Sequence, residues 1–420
     1  MRSILICFFF SVASSLSSQH YYDISDYGAK NDSTVVSSKA IQSAIDACSE
    51  NGGGVVLIPP GDFTSGTLIF KANVSLHFSE GATLFASKNL EDYTDIGKKK
   101  PFMFFENVEG ISISGNGKID GNGEHFWDEN FNALERPEPF ILFRNSKRVK
   151  VKDVFITQSP SHTLRMEDCE DFVVEGITIV NDLRGPNTDG IDIVDTKNVR
   201  INNCSMRSGD DLICLKSQKK AVENVVVTNC ILESDDSAIK FGTGSHVSTS
   251  HNVFDNLIIR NTRYGIAMFM LDGGEFTNNR FSNMIIESGG RHQHNYPIFI
   301  DIDKRVENRN YGKIDNLKFE NLQIITDGKI LISGHKERSI GRLIMQDVDV
   351  KMDDPADFRT SKKPRGNKNY PSLESSVDLS RQNAHMILGN IEKLILDDVE
   401  IYGQNESRKE FYFLNVREKD

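Results

Sequence analysis

One phrase recurs along the chain and limits what it can become. A turn residue leads, three or four apolar or alternating residues follow, and a polar pair closes it. The phrase reads Arg148-Val-Lys-Val-Lys-Asp-Val, then Asp171-Phe-Val-Val-Glu-Gly-Ile, Asn198-Val-Arg-Ile-Asn-Asn-Cys and Asn224-Val-Val-Val-Thr-Asn-Cys. It returns at Asn256, Asn283, Asn316, Arg342 and Lys393. The start-to-start intervals are 23, 27, 26, 32, 27, 33, 26 and 51 residues, the last about two periods with an insertion. Short strands repeating in the twenties, without helical periodicity, signal a parallel β-solenoid. One coil cannot bury its apolar side alone, so it stacks on its neighbours, with like residues ~4.8 Å apart. Cys204 and Cys230 hold the same place in successive phrases, as do Asn203 and Asn229, and read as internal stacks. A β-sandwich would not keep so regular a period.

An open solenoid end exposes strand edges and needs a cover. Ile41, Ala44, Ile45 and Cys48 follow i, i+3, i+4, i+7, which predicts a short N-terminal capping helix. Ser37 or Ser38 is its expected cap, and Gly52-Gly-Gly its stop. Residues 356–383 break the repeat, are polar, and read as an inserted surface loop. The fold expectation is therefore all-β, a single parallel β-helix over residues 19–420.

Residues 1–18 stand apart. Arg2, the apolar run Ile4–Ala13 and the small polar Ser14–Ser18 describe a secretory signal peptide. The run is too short for a membrane span, and no later segment has the ~20 apolar residues needed. A secreted or periplasmic monomer is expected. The 420 residues carry 49 Lys+Arg against 60 Asp+Glu, a net charge of −11. That balance argues against broad nucleic-acid binding. It also means that an anionic substrate must be held by local cations against the overall field. Beyond Cys7, the five cysteines show no zinc spacing and read as small buried thiols.

Three acidic clusters fall in consecutive coils: Asn187-Thr-Asp189-Gly-Ile-Asp192, Ser208-Gly-Asp210-Asp211 and Ser234-Asp235-Asp236-Ser237. Asp210 follows Asp189 by 21 residues, and Asp235 follows Asp210 by 25. Such spacings stack carboxylates on one face, where like charges repel unless they have a use or a counter-ion. A solvated acidic ridge or a Ca²⁺ site is the bland alternative. Glycosidic cleavage needs this arrangement, because one carboxyl must donate a proton and another must activate water. Crowded carboxylates split their pKa values accordingly. A bend at Gly209 is expected to let Asp210 and Asp211 reach one cleft.

Several motifs together resemble glycoside hydrolase family 28, the polygalacturonases. They are Tyr27-Gly-Ala-Lys30-Asn-Asp, the glycine-rich Ile113-Ser-Gly-Asn-Gly-Lys-Ile-Asp120-Gly-Asn-Gly123 with Trp127, and Ser159-Pro160. Pro186-Asn187-Thr188-Asp189-Gly190 and Gly209-Asp210-Asp211 complete the set. The resemblance implies a right-handed parallel β-helix and inverting hydrolysis; no complete metal-ligand set is visible in the sequence, so no metal or cofactor is expected. The resemblance also implies Asp210 as general acid, with Asp189 and Asp211 holding and activating water, and Asn187 beside the substrate.

The chain also departs from the family pattern. Ser237 stands where the family's Gly-His-Gly histidine is expected. Ala267-Met268-Phe269 replaces the Arg-Ile-Lys segment that grips a galacturonate carboxylate, and Lys304 takes the place of an active-site tyrosine after Pro297-Ile-Phe-Ile-Asp301. The acid–base machinery is kept and the substrate grip is changed. Lys216, Lys240 and Lys304 are candidate replacement cations. His292 and His294, at i, i+2 in a loop before a strand, are candidate contacts to sugar hydroxyls. The expected function is exported hydrolysis of α-linked, uronic-acid-containing polysaccharide or its oligosaccharides. A polysaccharide lyase and a non-catalytic carbohydrate-binding β-helix are the alternatives.

Overall fold

A computed structural model describes residues 20–289, 295–353, 379–403 and 407–419. The chain winds as a right-handed parallel β-helix with three strand-bearing faces. Each face shows one apolar rank running along the axis. On the first, Met103, Ile141, Leu164, Ile191, Ile213, Ile239, Ile266 and Ile298 are successive register partners. On the second, Val149, Phe172, Val199 and Val225 align. On the third, Ile156, Ile179, Met206, Leu232, Ile259, Ile286, Ile324 and Val350 align. All are buried and meet inside the coil as one core. This is what the phrase encodes: alternate residues of each strand point inward, and stacking buries what one coil could not.

The structure also explains why the phrase so often begins with Asn. Asp171, Asn198, Asn224, Asn256, Asn283 and Asn316 have φ between 51° and 59°. Among L-residues, Asn and Asp tolerate this left-handed conformation best. Their side chains then bond along the stack. Asn224 Nδ2 donates to Asn198 Oδ1 and Asn198 Nδ2 to Asp171 Oδ1, both at 2.9 Å. Asn203 and Asn229 turn a second corner, both at φ 55°. Beside them Cys204 and Cys230 are buried thiols in adjacent coils.

The helix Ser38–Glu50 buries Ile41, Ala44, Ile45 and Cys48, as expected, against the first coils. Its serines do not cap it. Ser37 Oγ accepts from the Lys30 amide, and Ser38 Oγ accepts from the Gly66 amide. The chain needs those hydroxyls to tie the helix to its neighbours. Gly53 N then donates to Cys48 O at 2.9 Å and closes the helix end.

The expected signal peptide lies outside the described residues. Of the expected surface loop 356–383, residues 379–383 are described, with Arg381 and Asn383 exposed. Leu379 is buried among Tyr264, Phe269, Tyr296 and Phe299. Lys329 Nζ donates to the carbonyls of Ser380 at 2.9 Å and Gln382 at 2.7 Å. An aromatic face presented by two adjacent coils recruits this stretch as its cover.

Candidate active site

The strands Ile191–Val194, Ile213–Lys216 and Ser237–Phe241 lie side by side in register. Asp189, Asp211 and Ser237 each stand two residues ahead of the paired Ile191, Ile213 and Ile239. They therefore form one rank across three coils, in place of the Asp189, Asp210 and Asp235 stack that the spacing predicts. Gly190 N donates to Asp211 O at 2.9 Å and Leu212 N to Ser237 O at 2.8 Å, which fixes that rank. Gly209 contributes by close approach and not by a left-handed bend. A Cβ there would meet Gly185 O at 2.6 Å, with Asp182 O and Leu183 O at 2.9 Å. Thr188 Oγ1 accepts from Gly209 N at 3.2 Å and donates to Gly185 O at 3.1 Å, tying the two acidic loops together.

Asp189 and Asp211 are buried, and Asp210 is half-buried. Their carboxylates converge. Oxygens of Asp189 and Asp211 lie within 4.8 Å of each other, as do those of Asp210, Asp211 and Asp236. Asn187 Nδ2 donates to Asp210 Oδ2 at 3.5 Å. Asp210 Oδ1 accepts from the Asp211 amide at 3.0 Å.

Burial raises Asp189 well above the ordinary carboxylate range, and the charges of Asp192 and Asp210 add to it. Burial also pushes Asp211 up to about 6, with Lys240 opposing and Asp236 and Asp210 adding. Asp192 goes the other way. Burial alone would raise it, but Lys216, His162 and Arg165 outweigh that and hold it below its usual range. Lys216 Nζ is 2.8 Å from Asp192 Oδ1 and 3.6 Å from Asp189 Oδ2. Arg165 Nη1 is 2.8 Å from Asp192 Oδ2. His162 Nε2 stands 3.9 Å from both Asp189 and Asp192, and burial lowers its pKa.

The other sequence candidates fall in several places. Ser237 Oγ lies 3.5 Å from Lys240 Nζ and hydrogen-bonds Asp211. Lys240 is 1% exposed, with Nζ 3.4 Å from Asp211 Oδ1 and 4.3 Å from the Phe269 ring centroid. It is thus set against the acidic group from inside the wall, and not displayed as a surface cation. Lys216 likewise serves Asp192 and Asp189. Lys304 stands over the Tyr311 ring at 4.4 Å, beyond the end of the strand Tyr296–Ile302. His292 and His294 lie outside the described residues. Past Lys240 the outward row continues as Ala267, Phe299 and Leu331.

Sequence reasoning missed Arg136, His162 and Arg165. The Arg165 register with Asp192 was the available signal, one coil upstream on the same row. Arg136 gave none, because it sits in an irregular connection. Its Nη1 reaches the carbonyls of Pro160 and Pro186, and Nη2 donates to Asn187 Oδ1 at 3.4 Å. Three groupings among the described residues bring carboxylates together as a metal site would: His162–Asp189–Asp192, Asp189–Asp211–Cys214 and Asp210–Asp211–Asp236. Each already has a side-chain cation beside it: Lys216 and Arg165 at the first, Lys216 and Lys240 at the second, Lys240 and Arg263 at the third.

Converging carboxylates with fixed ammonium neighbours, on the outer wall of a β-helix, suit acid–base chemistry on a bound saccharide. Known proteins point the same way. A probable polygalacturonase of Vitis vinifera is 27% identical over 218 residues, 47% of this chain and 44% of that protein. A polygalacturonase of Persea americana is 27% identical over 327 residues, 71% of this chain and 67% of that protein. The chain thus spans less than half of the first relative and about two thirds of the second. The family 28 exopolygalacturonase of Yersinia enterocolitica shares the fold, with a TM-score of 0.72 at 17% identity over 96% of this chain and 78% of that one. The family described as glycosyl hydrolases family 28 matches residues 48–366, and with the acidic cluster of Asp189, Asp210 and Asp211 inside that stretch the chain belongs to it.

Proposed function

We propose that the chain is an exported glycoside hydrolase that cleaves α-glycosidic bonds in a pectic or related acidic polysaccharide, or in its oligosaccharides, with inversion. The observation that carries this reading is the meeting of Asp189 and Asp211 from adjacent coils, with Asp210 beside them and Lys216 and Lys240 as fixed counter-charges. Asp210, the least buried of the three and the one held by Asn187, donates its proton to the leaving oxygen. Asp211, kept ionisable near pH 6 by Lys240, takes the proton of the attacking water. Asp189 holds that water from the neighbouring coil. Arg136 fixes Asn187, and so the acid, relative to the Ser159-Pro160 turn.

The absent Arg-Ile-Lys grip points to a mixed or substituted polymer. Neither Ala267 nor Phe269 has a side-chain donor for a carboxylate, and both are buried. Rhamnogalacturonan is the expected better substrate, and plain homogalacturonan the poorer. The test is incubation of the protein with both polymers, followed by mass analysis and ultraviolet absorbance of the products. Products heavier by one water, without new absorbance, are expected. An absorbing, unsaturated product would replace this reading with a lyase, and no product from either polymer would remove it.

A further inference from the structure

The rank of acidic residues does not begin at Asp189. Leu164 pairs in register with Ile191, and His162 stands two residues ahead of Leu164, as Asp189 does ahead of Ile191. Thr163 N donates to Asp189 O at 2.8 Å, the same bond that Gly190 N makes to Asp211 O one coil on. The rank therefore runs His162, Asp189, Asp211, Ser237. Adjacent members stand one strand spacing apart, ~4.8 Å, which sets the imidazole against the carboxyl.

The contacts follow from that place. His162 Nε2 lies 3.9 Å from Asp189 Oδ2 and 3.9 Å from Asp192 Oδ2, and Nδ1 lies 3.6 Å from Glu138 Oε1. The side chain is 19% exposed. These gaps exceed a direct hydrogen bond and suit charge interaction or one bridging water.

The surrounding charges leave one proton to place. Arg165, on the same strand stretch, and Lys216, from the coil beyond Asp189, are the near cations. Asp192 in the next coil and Glu138 in the preceding connection are the near anions. These four cancel. From the N-terminal side the imidazole also faces Lys98, Lys99, Lys100, Glu135 and Arg136. There Lys99 is engaged with Glu167, Lys100 with Glu135 and Arg136 with Glu138, and Lys98 is exposed. Asp210 and Asp211 act on Asp189 from its other side. An ionised Asp189 beside a neutral His162 leaves a buried negative charge without its complement. A charged His162 beside a protonated Asp189 leaves a positive one. With both neutral or both charged, none is left over. Burial favours the neutral pair, lowering His162 and raising Asp189.

We propose that His162 is a positioning residue that shares one proton with Asp189 and takes it up when Asp189 ionises to hold the attacking water. The proposal deepens the hydrolase reading above and rests on it for the water. The step moves one proton and breaks no heavy-atom bond: a carboxyl and a neutral imidazole become a carboxylate and an imidazolium. The two groups then titrate as a pair, each charged form favouring the other.

The test is NMR of the full chain carrying histidine isotopically labelled at Cε1, followed as a function of pH. The His162 signal is the one lost in His162→Gln. In Asp189→Asn the carboxylate that favours the imidazolium is gone, so the His162 midpoint is expected to fall by at least about half a pH unit. The reciprocal variant is read by kinetics. The imidazolium favours the Asp189 carboxylate, so His162→Gln should move the acid limb of the kcat/KM profile up by at least about half a pH unit, with KM at the optimum within about twofold. A merely structural histidine would alter stability and leave both midpoints in place. An unchanged or raised His162 midpoint in Asp189→Asn overturns the proposal, as does an unmoved acid limb in folded His162→Gln. If His162→Gln fails to fold, His162→Asn identifies the signal, and the midpoint in Asp189→Asn decides. Linked midpoints in a chain that hydrolyses no polymer would leave the shared proton standing and remove the hydrolase reading. Hydrolysis without linked midpoints would remove the shared proton alone.

Discussion

The ammonium of Lys240 lies 3.4 Å from Asp211 Oδ1 while the lysine as a whole is 1% exposed. A buried lysine without an acid would lose its proton, and a buried aspartate without a cation would keep one. Lys240 therefore opposes the burial that pushes Asp211 up to about 6, and the Phe269 ring at 4.3 Å covers the ammonium. The pair sets the pH at which the Asp211 carboxylate, the proposed base, becomes available.

Activity is accordingly expected to rise with pH through about 6, where Asp211 ionises. Lys240→Met keeps the length and apolar stem of the side chain but removes the charge that lowers Asp211. The acid limb of the kcat/KM profile should then move up by roughly one pH unit or more. A limb that stays in place would show that Lys240 does not tune Asp211.

Asp210→Asn should leave the melting profile near that of the native chain and lower the rate at least ~10²-fold, the usual size of a general-acid contribution. Near-normal turnover by this variant would pass the proton donor's role to another residue.

Asp189→Asn should abolish most activity and yet stabilise the fold at neutral pH. The folded Asp189 has a raised pKa, from burial and from Asp192 and Asp210. The unfolded carboxyl ionises near ~3.9. As pH rises beyond that, the unfolded chain releases a proton that the folded chain retains or gives up at a cost, so native stability falls. Asparagine removes this loss, and Lys216 keeps Asp192 as its partner. A gain on the order of a few °C is expected at pH 7, shrinking towards pH 4. A lower melting temperature at pH 7 would contradict the assignment of strain to this carboxylate.

The stereochemistry of the product is a sharp test of mechanism. Acid and base lie ~6.5–9.5 Å apart in most inverting enzymes and ~5 Å apart in retaining ones. The nearest oxygens of Asp210 and Asp211 are within 4.8 Å. Inversion is still expected, because the carboxylates of Asp189 and Asp211 converge from two coils, an arrangement suited to holding one water. Proton NMR during early turnover should show the β-anomer appearing first from an α-linked substrate. First appearance of the α-anomer would make one of these carboxylates a nucleophile.

The coil pattern was legible because corner residues and inward residues obey different rules. Asn198 and Asn224 are readable as corners from their conformational tolerance, and Ile191 and Ile213 as core from alternation. The 21-residue interval placed Asp189 and Asp210 in neighbouring coils for the same reason. Lys240 was legible as a cation near the site but not as a buried one. Its burial comes from Asp211 and Phe269 in adjacent coils, which its own strand does not encode. Arg136 was hidden because it acts from an irregular connection across the Pro160 and Pro186 turns. Leu379 was misread with its polar neighbours, since only the aromatic face of Tyr264, Tyr296 and Phe299 explains its burial.

The asparagine corners have a consequence for how such a chain can change over generations. Corner residues such as Asn198 and Asn224 bond along the stack to the neighbouring coils, so a whole turn is a self-contained unit of inheritance. Gain or loss of one turn beyond Ser288 would alter the length of the protein while Asp189 and Asp211 kept their separation. A single-residue insertion between Asp189 and Asp211 is a different event. It slides one strand by one position, and because strand residues alternate faces, it would send one of those carboxylates into the core. The chain is thus free to vary in steps of a turn and nearly frozen in steps of a residue across its three acidic coils.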